Sequence, residues 1–447
     1  MQLDNPHEPQ LRRTLGLFAI TAFGVGDILG SGVYALVGKI SGHVGSAAWM
    51  SYLVAGFAAA LTGLTYAEFT SRYPRAGGAA HFVQTVFRTP LVTFLVMCFV
   101  GLSGMFSMAA TSRTFANYAL AGTTGAHPIL KDYLFPFAFL LIIALVAIYG
   151  IVLSSRANLV CTIVEIAGLF IIIALGIRFL GRVDYVEFAK SEQGTGPPLL
   201  VLQGAALAFF AFIGFEDMAN LSEEVKNPER NVPWAICLAI VITSVIYVTI
   251  ALIAVSVLPF SALGKTDSPL LDVVHTSRPG FPDWIYKIIP AFAVFNTALL
   301  NCLMASRLIY GMARGRNNVL PSFLGHVHPR WRTPAIAVGV ATLITIIMMA
   351  STKQIAVLAA GTTVFLLTVF MVLHIGLIKT KLTRGGERPP FQVPIFVPIL
   401  GAITCAVLLV TQKREALHTA KWLGVAILAL FVVNWFFRGR RQIEAID

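Results

Sequence analysis

The run that decides the fold is GVGDILGSGVY, residues 24–34, inside a longer apolar run at 17–37. Its four glycines, Gly24, Gly26, Gly30 and Gly32, each weaken a helix by roughly 1 kcal/mol relative to alanine. We therefore expect this helix to break near its middle. Within a membrane, such a break is tolerated only where the freed amides and carbonyls face a cavity or a polar ligand. Glycines also allow membrane helices to pack closely, so both interpretations stay open.

A second apolar run carries a similar interruption. The sequence FFAFIGFEDMAN, residues 209–220, puts Gly214 beside Glu216 and Asp217. Interrupted helices at corresponding places in two halves of a chain indicate the binding site of a transporter. Amides after the break at Gly30 would receive a carboxylate, and the carbonyls just before it would receive an ammonium group.

The composition places nearly the whole chain in lipid. Of its 447 residues, 57% are hydrophobic and 12% are charged, with a mean hydropathy of +0.79, far outside the range of soluble proteins. The net charge of +12 comes from scattered lysines and arginines, which do not form a nucleic-acid-binding face. There is no HExxH, GxSxG or GxxxxGK[ST] motif, and the five cysteines lack metal-ligand spacing. We therefore expect no enzyme activity, no cofactor and no bound metal.

Twelve apolar runs are candidates to cross about 30 Å of hydrocarbon, which predicts an all-α integral membrane protein. The predicted spans are 17–37, 47–69, 91–120, 133–152, 159–180, 199–221, 232–258, 284–312, 335–350, 355–378, 393–409 and 422–437. An even number puts both termini on one side, and the distribution of lysine and arginine predicts that this side is cytoplasmic. The short extramembrane parts favour a bacterial inner membrane. The expected organisation is a tail at 1–14, one membrane domain at 15–437 and a second tail at 438–447.

Four motifs occur in order along the chain: GDILGSGVYALVG, YAEFTSRYPRAGGAAHFV, FFAFIGFEDMANLSEEVKNPERNVPWAI and SRLIYGMARGRNNVLPSFLGHVHPRWRTP. In these motifs the sequence resembles the amino acid-polyamine-organocation transporter superfamily, especially its cationic amino acid transporter and basic amino acid/polyamine antiporter branches. The resemblance implies two inverted repeats of five helices, at about 15–181 and about 199–379, and two additional C-terminal helices at about 391–437. It also implies that the first and sixth helices are discontinuous.

In this superfamily, the backbone groups of the substrate bind to the unwound segments. Transferred to the matching positions here, the resemblance implies substrate-binding residues in both interruptions and a gating phenylalanine at Phe210 or Phe212. The full implied set is Ile28, Gly30, Ser31, Gly32, Phe209, Phe210, Ala211, Phe212 and Gly214.

Three carboxylates in apolar runs, Asp27, Glu165 and Glu216, are candidates for coupling or gating, because an acid in the bilayer core costs about 3 kcal/mol. Glu216 matches an acidic position that the superfamily associates with proton sensing or gating. Alternatively, it is a structural acceptor that holds two spans together. Glu165 departs from the superfamily pattern, since many relatives have a lysine there. We expect proton coupling at Glu165 with Asp27, and sodium is the alternative.

Polar residues elsewhere give weaker signals. Asn296, Thr297 and Asn301 of the eighth span would line the path of the ion or substrate, or would bond neighbouring helices to each other. Arg113 lies toward the outer end of the third span, and we expect its side chain to extend to the membrane interface.

The sequence therefore predicts a secondary active amino acid transporter that works by alternating access, with proton symport as the favoured coupling. The alternatives are an amino acid or polyamine exchanger and, more remotely, a sodium-coupled carrier, a channel or a membrane sensor. Direct binding by Asp27 or Glu216 would favour a cationic substrate, whereas the nearby phenylalanines suit a neutral or aromatic one. The expected partners are an amino acid or amine, a proton and membrane lipid, with no nucleic acid and no obligate protein partner.

Overall fold

The computed structural model describes residues 13–75, 77–121, 127–149, 151–190, 194–313, 320–383, 389–412, 417–418, 420–425 and 427–429, without the side chains of 151–159 and 283. The expected tail at 438–447, most of the tail at 1–14 and half of the expected span at 422–437 lie outside these residues. Within the described ranges, every secondary-structure element of three or more residues is helical. An apolar run becomes a helix in lipid because its backbone amides and carbonyls are then bonded within the segment.

The first half of the chain begins with an interrupted span. Helices α1 (Leu17–Ile28) and α2 (Ser31–Val44) are bent by 45° relative to each other at a break at residues 29–30. The helices that follow are α3 (Ala48–Arg72), α4 (Gly78–Phe87), α5 (Pro90–Ala119), α6 (Phe135–Tyr149, after a π-helical turn at Leu130–Leu134) and α7 (Ile151–Gly176, continued by a 3-10 turn at Ile177–Phe179).

The second half also begins with an interrupted span. Helix α8 (Pro197–Ala208) leads into a 3-10 segment at Phe209–Phe212, and a second 3-10 segment at Phe215–Glu224 follows Gly214. The remaining helices are α9 (Pro228–Val257), α10 (Phe260–Leu263), α11 (Pro269–Ser277), α12 (Asp283–Ala313), α13 (Ala335–Ser351), α14 (Ile355–Thr383) and α15 (Phe396–Val410), with a 3-10 turn at Ser322–Gly325 before α13.

Eight of the described helical segments are long and apolar enough to cross a membrane, and the bent pair α1 and α2 would make a ninth. Helices α13 and α15 are also apolar, but they contain 17 and 15 residues. The chain is therefore a multi-pass integral membrane protein. The number twelve stays a prediction, because two of its spans are short and half of the last one lies outside the described residues.

Helix packing brings the two interruptions together. Helix α1 and the segment Phe215–Glu224 both pack on α9, which also runs along α3, while α2 packs on α8. On the other side, α5 lies against α12 and α14. The unwound segments therefore meet at the centre of the bundle, enclosed by long helices.

A buried charge cluster joins α3, α14 and the chain before α15. Glu68 is fully buried, and its carboxylate accepts bonds from Arg72 Nη2 at 2.7 Å and from Lys381 Nζ at 2.6 Å. The backbone amide of Val393 donates to Glu68 Oε2 at 2.9 Å. Two cations and one amide thus replace the water that a carboxylate needs, as buried charges require.

Candidate functional site

The two interrupted spans touch through glycines. Gly214 has a φ of +129°, and a Cβ atom added there would lie 2.9 Å from the carbonyl oxygen of Asp27. A Cβ on Gly32 would overlap the Cα of Ala211. Both positions therefore require glycine, one for its backbone conformation and both for close approach. The two interpretations of the glycines are therefore compatible: the helix breaks there, and the glycines also allow the two spans to pack closely.

The carbonyls freed by the breaks are bonded to a side chain of a third helix. The hydroxyl oxygen of Tyr247, on α9, lies 2.6 Å from the carbonyl oxygen of Ile28 and 2.9 Å from that of Ala211. A tyrosine hydroxyl has one proton, so it can donate fully to one of these two carbonyls at a time. The other carbonyl then keeps capacity for a ligand.

The amide at the start of α2 also has a partner from another helix. Ser31 donates its backbone N–H to Thr297 Oγ1 at 3.0 Å, and the Thr297 hydroxyl donates to the carbonyl of Ala293. Asn301 donates to the carbonyl of Thr297 at 2.8 Å and to Ser107 Oγ at 3.3 Å. The network therefore connects the first interruption to α12 and α5.

A small cavity of about 30 Å³ lies between the interruptions. That volume holds about two water molecules and is far below the roughly 300–1,000 Å³ of a ligand pocket, so the space between the interruptions is too small for an amino acid in this structure. Its lining residues are Asp27, Ile28, Gly30, Ser31, Gly32, Ser103, Ser107, Phe210, Ala211, Ile213, Gly214, Glu216, Asp217, Thr297, Asn301, Met304 and Leu366.

Four of the residues predicted to bind substrate or to take part in coupling or gating do not line this cavity. Phe209 packs on Phe370 with ring centroids 6.1 Å apart, and Phe212 packs on Tyr247 at 5.2 Å. Asn296 and Glu165 are buried outside it. Of the two phenylalanines considered as a gate, Phe210 borders the cavity and Phe212 does not, and the gating role itself stays a prediction.

The carboxylates of the site have unequal surroundings. Glu216 Oε2 accepts a bond from the amide of Gly214 at 2.9 Å, within the second interruption itself, so this bond does not join two spans. Asp27 Oδ2 is buried with no hydrogen-bond partner in the described part of the chain. Asp27 interacts electrostatically with Asp217 and Glu216 more strongly than with Glu165. Asp27 thus shares the small cavity with the two acids of the second interruption, Glu216 and Asp217, and not with Glu165.

Glu165 lies behind the first interruption. It is fully buried, and neither carboxylate oxygen has a hydrogen-bond partner among the residues that the structure describes. Tyr34 and Tyr247 are close enough to interact with it electrostatically. An unpartnered carboxylate is costly to bury, so a bound proton or cation would remove a large cost at this position.

Sequence reasoning missed several residues of the site. Asp217 directly follows Glu216 and also lines the cavity, so the acidic pair was a visible signal. Tyr247 and the serines Ser103 and Ser107 lie in long apolar helices, where nothing local distinguishes them from ordinary packing residues. Their roles depend on which helices the fold places beside the breaks.

Arg113 is enclosed by protein, because the residue is only 4% exposed. The expected extension of its side chain to the membrane interface stays a prediction. The guanidinium donates to the backbone carbonyls of Asp132, at 3.2 Å, and Met349. Arginine is held inside the bundle because these two carbonyls replace part of its hydration.

A larger cavity of about 1330 Å³, which we call the vestibule, lies at the end of the bundle that carries Lys39. Its walls include Leu207 on α8 and Ala360 on α14, whereas the small cavity includes Phe210 and Leu366 of the same two spans. The vestibule therefore begins one or two helical turns from the small cavity. The full set of its lining residues is Lys39, His43, Arg113, Asn117, Lys131, Asp132, Leu199, Gln203, Leu207, Asp267, Lys353, Gln354, Ile355, Ala356, Ala360, Val410, Thr411 and Gln412.

Comparisons with known proteins agree with this architecture. A model of the amino acid permease family matches residues 15–437. The chain is 27% identical to the methylthioribose transporter of Bacillus subtilis and 26% identical to its branched-chain amino acid permease, covering 94% of each relative and 97% and 96% of this chain. It is 31% identical to cationic amino acid transporter 4 of Homo sapiens over 80% of this chain, but it spans 59% of that relative's length.

Proposed function

The chain belongs to the amino acid permease family, and from this premise we propose that it carries amino acids across a membrane as a secondary active transporter. The observation that carries the proposal is the meeting of two interrupted spans at a cavity with backbone donors, backbone acceptors and carboxylates in its walls. Such sites at the centre of a bundle serve alternating access, in which one group of helices rocks against another. Several relatives are named as amino acid transporters or permeases, which also favours it.

The proposal includes the finer topology. The interruptions fall in the first span and in α8 with its 3-10 extensions, which would be the first helices of two inverted repeats at about 15–181 and about 199–379. Helix α15 and the expected span at 422–437 would be the two additional helices, completing twelve. The termini would then face the cytoplasm of a bacterial inner membrane, and the vestibule would face outward.

Substrate binding would use both ends of the break. The α-carboxylate would accept bonds from the amides of Ser31 and Gly32, with Thr297 giving up its bond to Ser31. The α-ammonium would bind near Asp27 and the carbonyl of Ile28. These roles follow from the positive end of α2 and the negative end of α1, which the break exposes to the same cavity.

Coupling would use Glu165. Its buried carboxylate lies next to the first interruption, so a proton bound there would change the charge beside α1 as the site opens and closes. Proton symport is the favoured mode, and sodium coupling and exchange against an internal solute are the alternatives. The absence of a hydrogen-bond partner for either oxygen within the described residues supports a residue that gains and loses a proton.

The test is uptake of radiolabelled amino acids and polyamines into proteoliposomes under imposed proton or sodium gradients. Glu165→Gln keeps the shape of the side chain and removes the titratable group. Glu229→Gln, at an exposed position near the start of α9, is the matched control. We expect acid-driven uptake of amino acids by the unaltered protein and by the control, and its loss in Glu165→Gln.

Two outcomes would distinguish a failure of the coupling mechanism from a failure of the transport function. Uptake that ignores both gradients, is stimulated by solute loaded inside, and is equal in all three proteins would exclude coupling through Glu165 and indicate exchange. No accumulation of any amino acid by a folded, reconstituted protein would contradict the transport function itself.

A further inference from the structure

The vestibule is lined by more lysine and arginine side chains than carboxylates. Both of its carboxylates are already paired with lysines: Lys131 Nζ lies 2.7 Å from Asp267 Oδ2, and Lys353 Nζ lies 2.6 Å from Asp132 Oδ2. Lys39 and Arg113 remain, and neither forms an ion pair with a carboxylate in the described ranges. The vestibule therefore has an excess of positive charge.

Lys39 has its ammonium group at the wall of the vestibule. Nζ donates to the carbonyl oxygens of Gly264 at 3.2 Å and Thr266 at 3.4 Å. These neutral acceptors fix the position of the ammonium group but leave its charge uncompensated. Since an ammonium has three donors, one is left for a ligand.

Arg113 supplies the second charge from a buried position. Its guanidinium donates to two backbone carbonyls, of Asp132 and Met349, and Nε has no partner in the part of the chain that the structure describes. The Asp132 carboxylate also attracts it, but that carboxylate is in contact with Lys353. A buried donor without an acceptor costs free energy that a bound anion would recover.

Both cations lie on helices that continue into the small cavity. Lys39 is seven residues along α2 from Gly32, and Arg113 is six residues along α5 from Ser107. At 1.5 Å per residue, each separation is about 10 Å. A solute at these cations would thus lie a short step from the cavity.

We propose that Lys39 and Arg113 make the vestibule a carboxylate-capture site, which the substrate occupies before it reaches the small cavity. The inference rests on the proposed transport function and adds a step to it: the carboxylate of the solute is bound in the vestibule before the solute reaches the small cavity. A positive vestibule attracts zwitterions and anions by their carboxylates and raises the energy of entry for diamines and polyamines. Among the alternatives that the sequence left open, polyamine exchange is therefore disfavoured.

The first experiment measures KM and Vmax of uptake for an amino acid that the unaltered protein transports, at low and high ionic strength. Lys39→Gln removes one capture charge, and Lys226→Gln, at an exposed position of the opposite end, is the control. We expect Lys39→Gln to raise KM about fivefold at low salt with little change in Vmax. The difference should shrink at high salt, because salt screens charges in an open vestibule. An unchanged KM, or a loss in Vmax alone, would overturn the proposal.

Arg113 needs a second pair of variants because it also bonds two carbonyls. Arg113→Lys keeps the charge and Arg113→Met removes it. We expect Arg113→Lys to keep a KM close to that of the unaltered protein, and Arg113→Met to raise KM and to weaken the discrimination against spermidine as a competitor. Equal kinetics for folded Arg113→Lys and Arg113→Met would contradict a role for its charge.

A third measurement does not depend on transport. The rate at which a small amine-acylating reagent modifies Lys39 in the purified protein is followed by mass spectrometry. We expect acetate and zwitterionic amino acids to slow the modification, and the amines that lack a carboxylate to leave it unchanged. Equal protection by chloride would reject a carboxylate site in favour of a general anion site. Protection by carboxylates in a protein that transports no amino acid would keep the capture site and refute the transport function.

Discussion

The hydroxyl of Tyr247 lies 2.6 Å from the carbonyl oxygen of Ile28, the last residue of α1, although 219 positions separate them in the chain. The same hydroxyl is 2.9 Å from the carbonyl of Ala211. One side chain of an uninterrupted helix thus contacts the exposed carbonyls of both interrupted spans. It links the end of α1 to the 3-10 segment that follows α8.

Replacement of Tyr247 by phenylalanine should destabilise the site without changing its volume. The variant keeps the ring contact with Phe212 but leaves both carbonyls without this donor. We expect a loss of about 1–3 kcal/mol in the free energy of unfolding, together with reduced transport. Thermal unfolding in detergent measures the first, with Tyr149→Phe on the exposed surface of α6 as the control. Equal stability of the two variants would contradict a bonding role for the hydroxyl.

Gly214→Ala should be poorly tolerated. Its φ of +129° is unfavourable for alanine, and the added Cβ would lie 2.9 Å from the carbonyl of Asp27. We expect a stability loss above about 1 kcal/mol and little or no uptake. Gly311→Ala is the matched control, because a Cβ there would meet no atom within 4 Å and alanine favours a helix. If both variants transport normally, close contact between the interruptions is not required.

Asp217→Asn should change selectivity more than stability. The cavity is lined by Asp27, Glu216 and Asp217, and asparagine can still accept the bond that Asn220 donates to Asp217 Oδ1. Removing one negative charge should weaken uptake of lysine about fivefold more than uptake of leucine. Competition between the two in proteoliposomes measures the ratio, with the exposed Asp184→Asn as the control. An unchanged ratio would mean that Asp217 does not face the side chain of the substrate.

Glu68→Gln should be among the most destabilising conservative changes in the protein. The substitution leaves Arg72 and Lys381 buried, with 8% and 14% of their side chains exposed, and without their carboxylate. Breaking a buried ion pair from one side costs about 3–5 kcal/mol. Asp267→Asn breaks the exposed pair with Lys131 and should cost less than about 1 kcal/mol. Thermal unfolding measures the stability loss of both variants. Similar losses would refute the claim that burial makes the Glu68 ion pairs more important than the exposed pair.

Much of the fold could be predicted because its signals are local. Apolar composition made nearly the whole chain membrane-spanning, and closely spaced glycines and carboxylates marked both interruptions. The direction in which each side chain of an interruption points could not be predicted from such local signals. Phe209, Phe210 and Phe212 lie in a 3-10 segment, where successive residues differ by about 120°, so neighbours in sequence face different helices. Phe210 alone of the three borders the small cavity.

The sequence by itself determined that this is a multi-pass membrane protein with two breaks, because lipid demands apolar helices and glycine weakens them wherever they occur. The tertiary structure decided which polar groups of distant helices meet those breaks. Hydrogen bonds to backbone groups of other segments are made by the side chains of Tyr247, Thr297 and Arg113. These groups come within 3.5 Å of the side chains only when the helices pack into the bundle. The identity of a side chain in the sequence does not predict which backbone carbonyl of a distant segment will lie within hydrogen-bond distance of it.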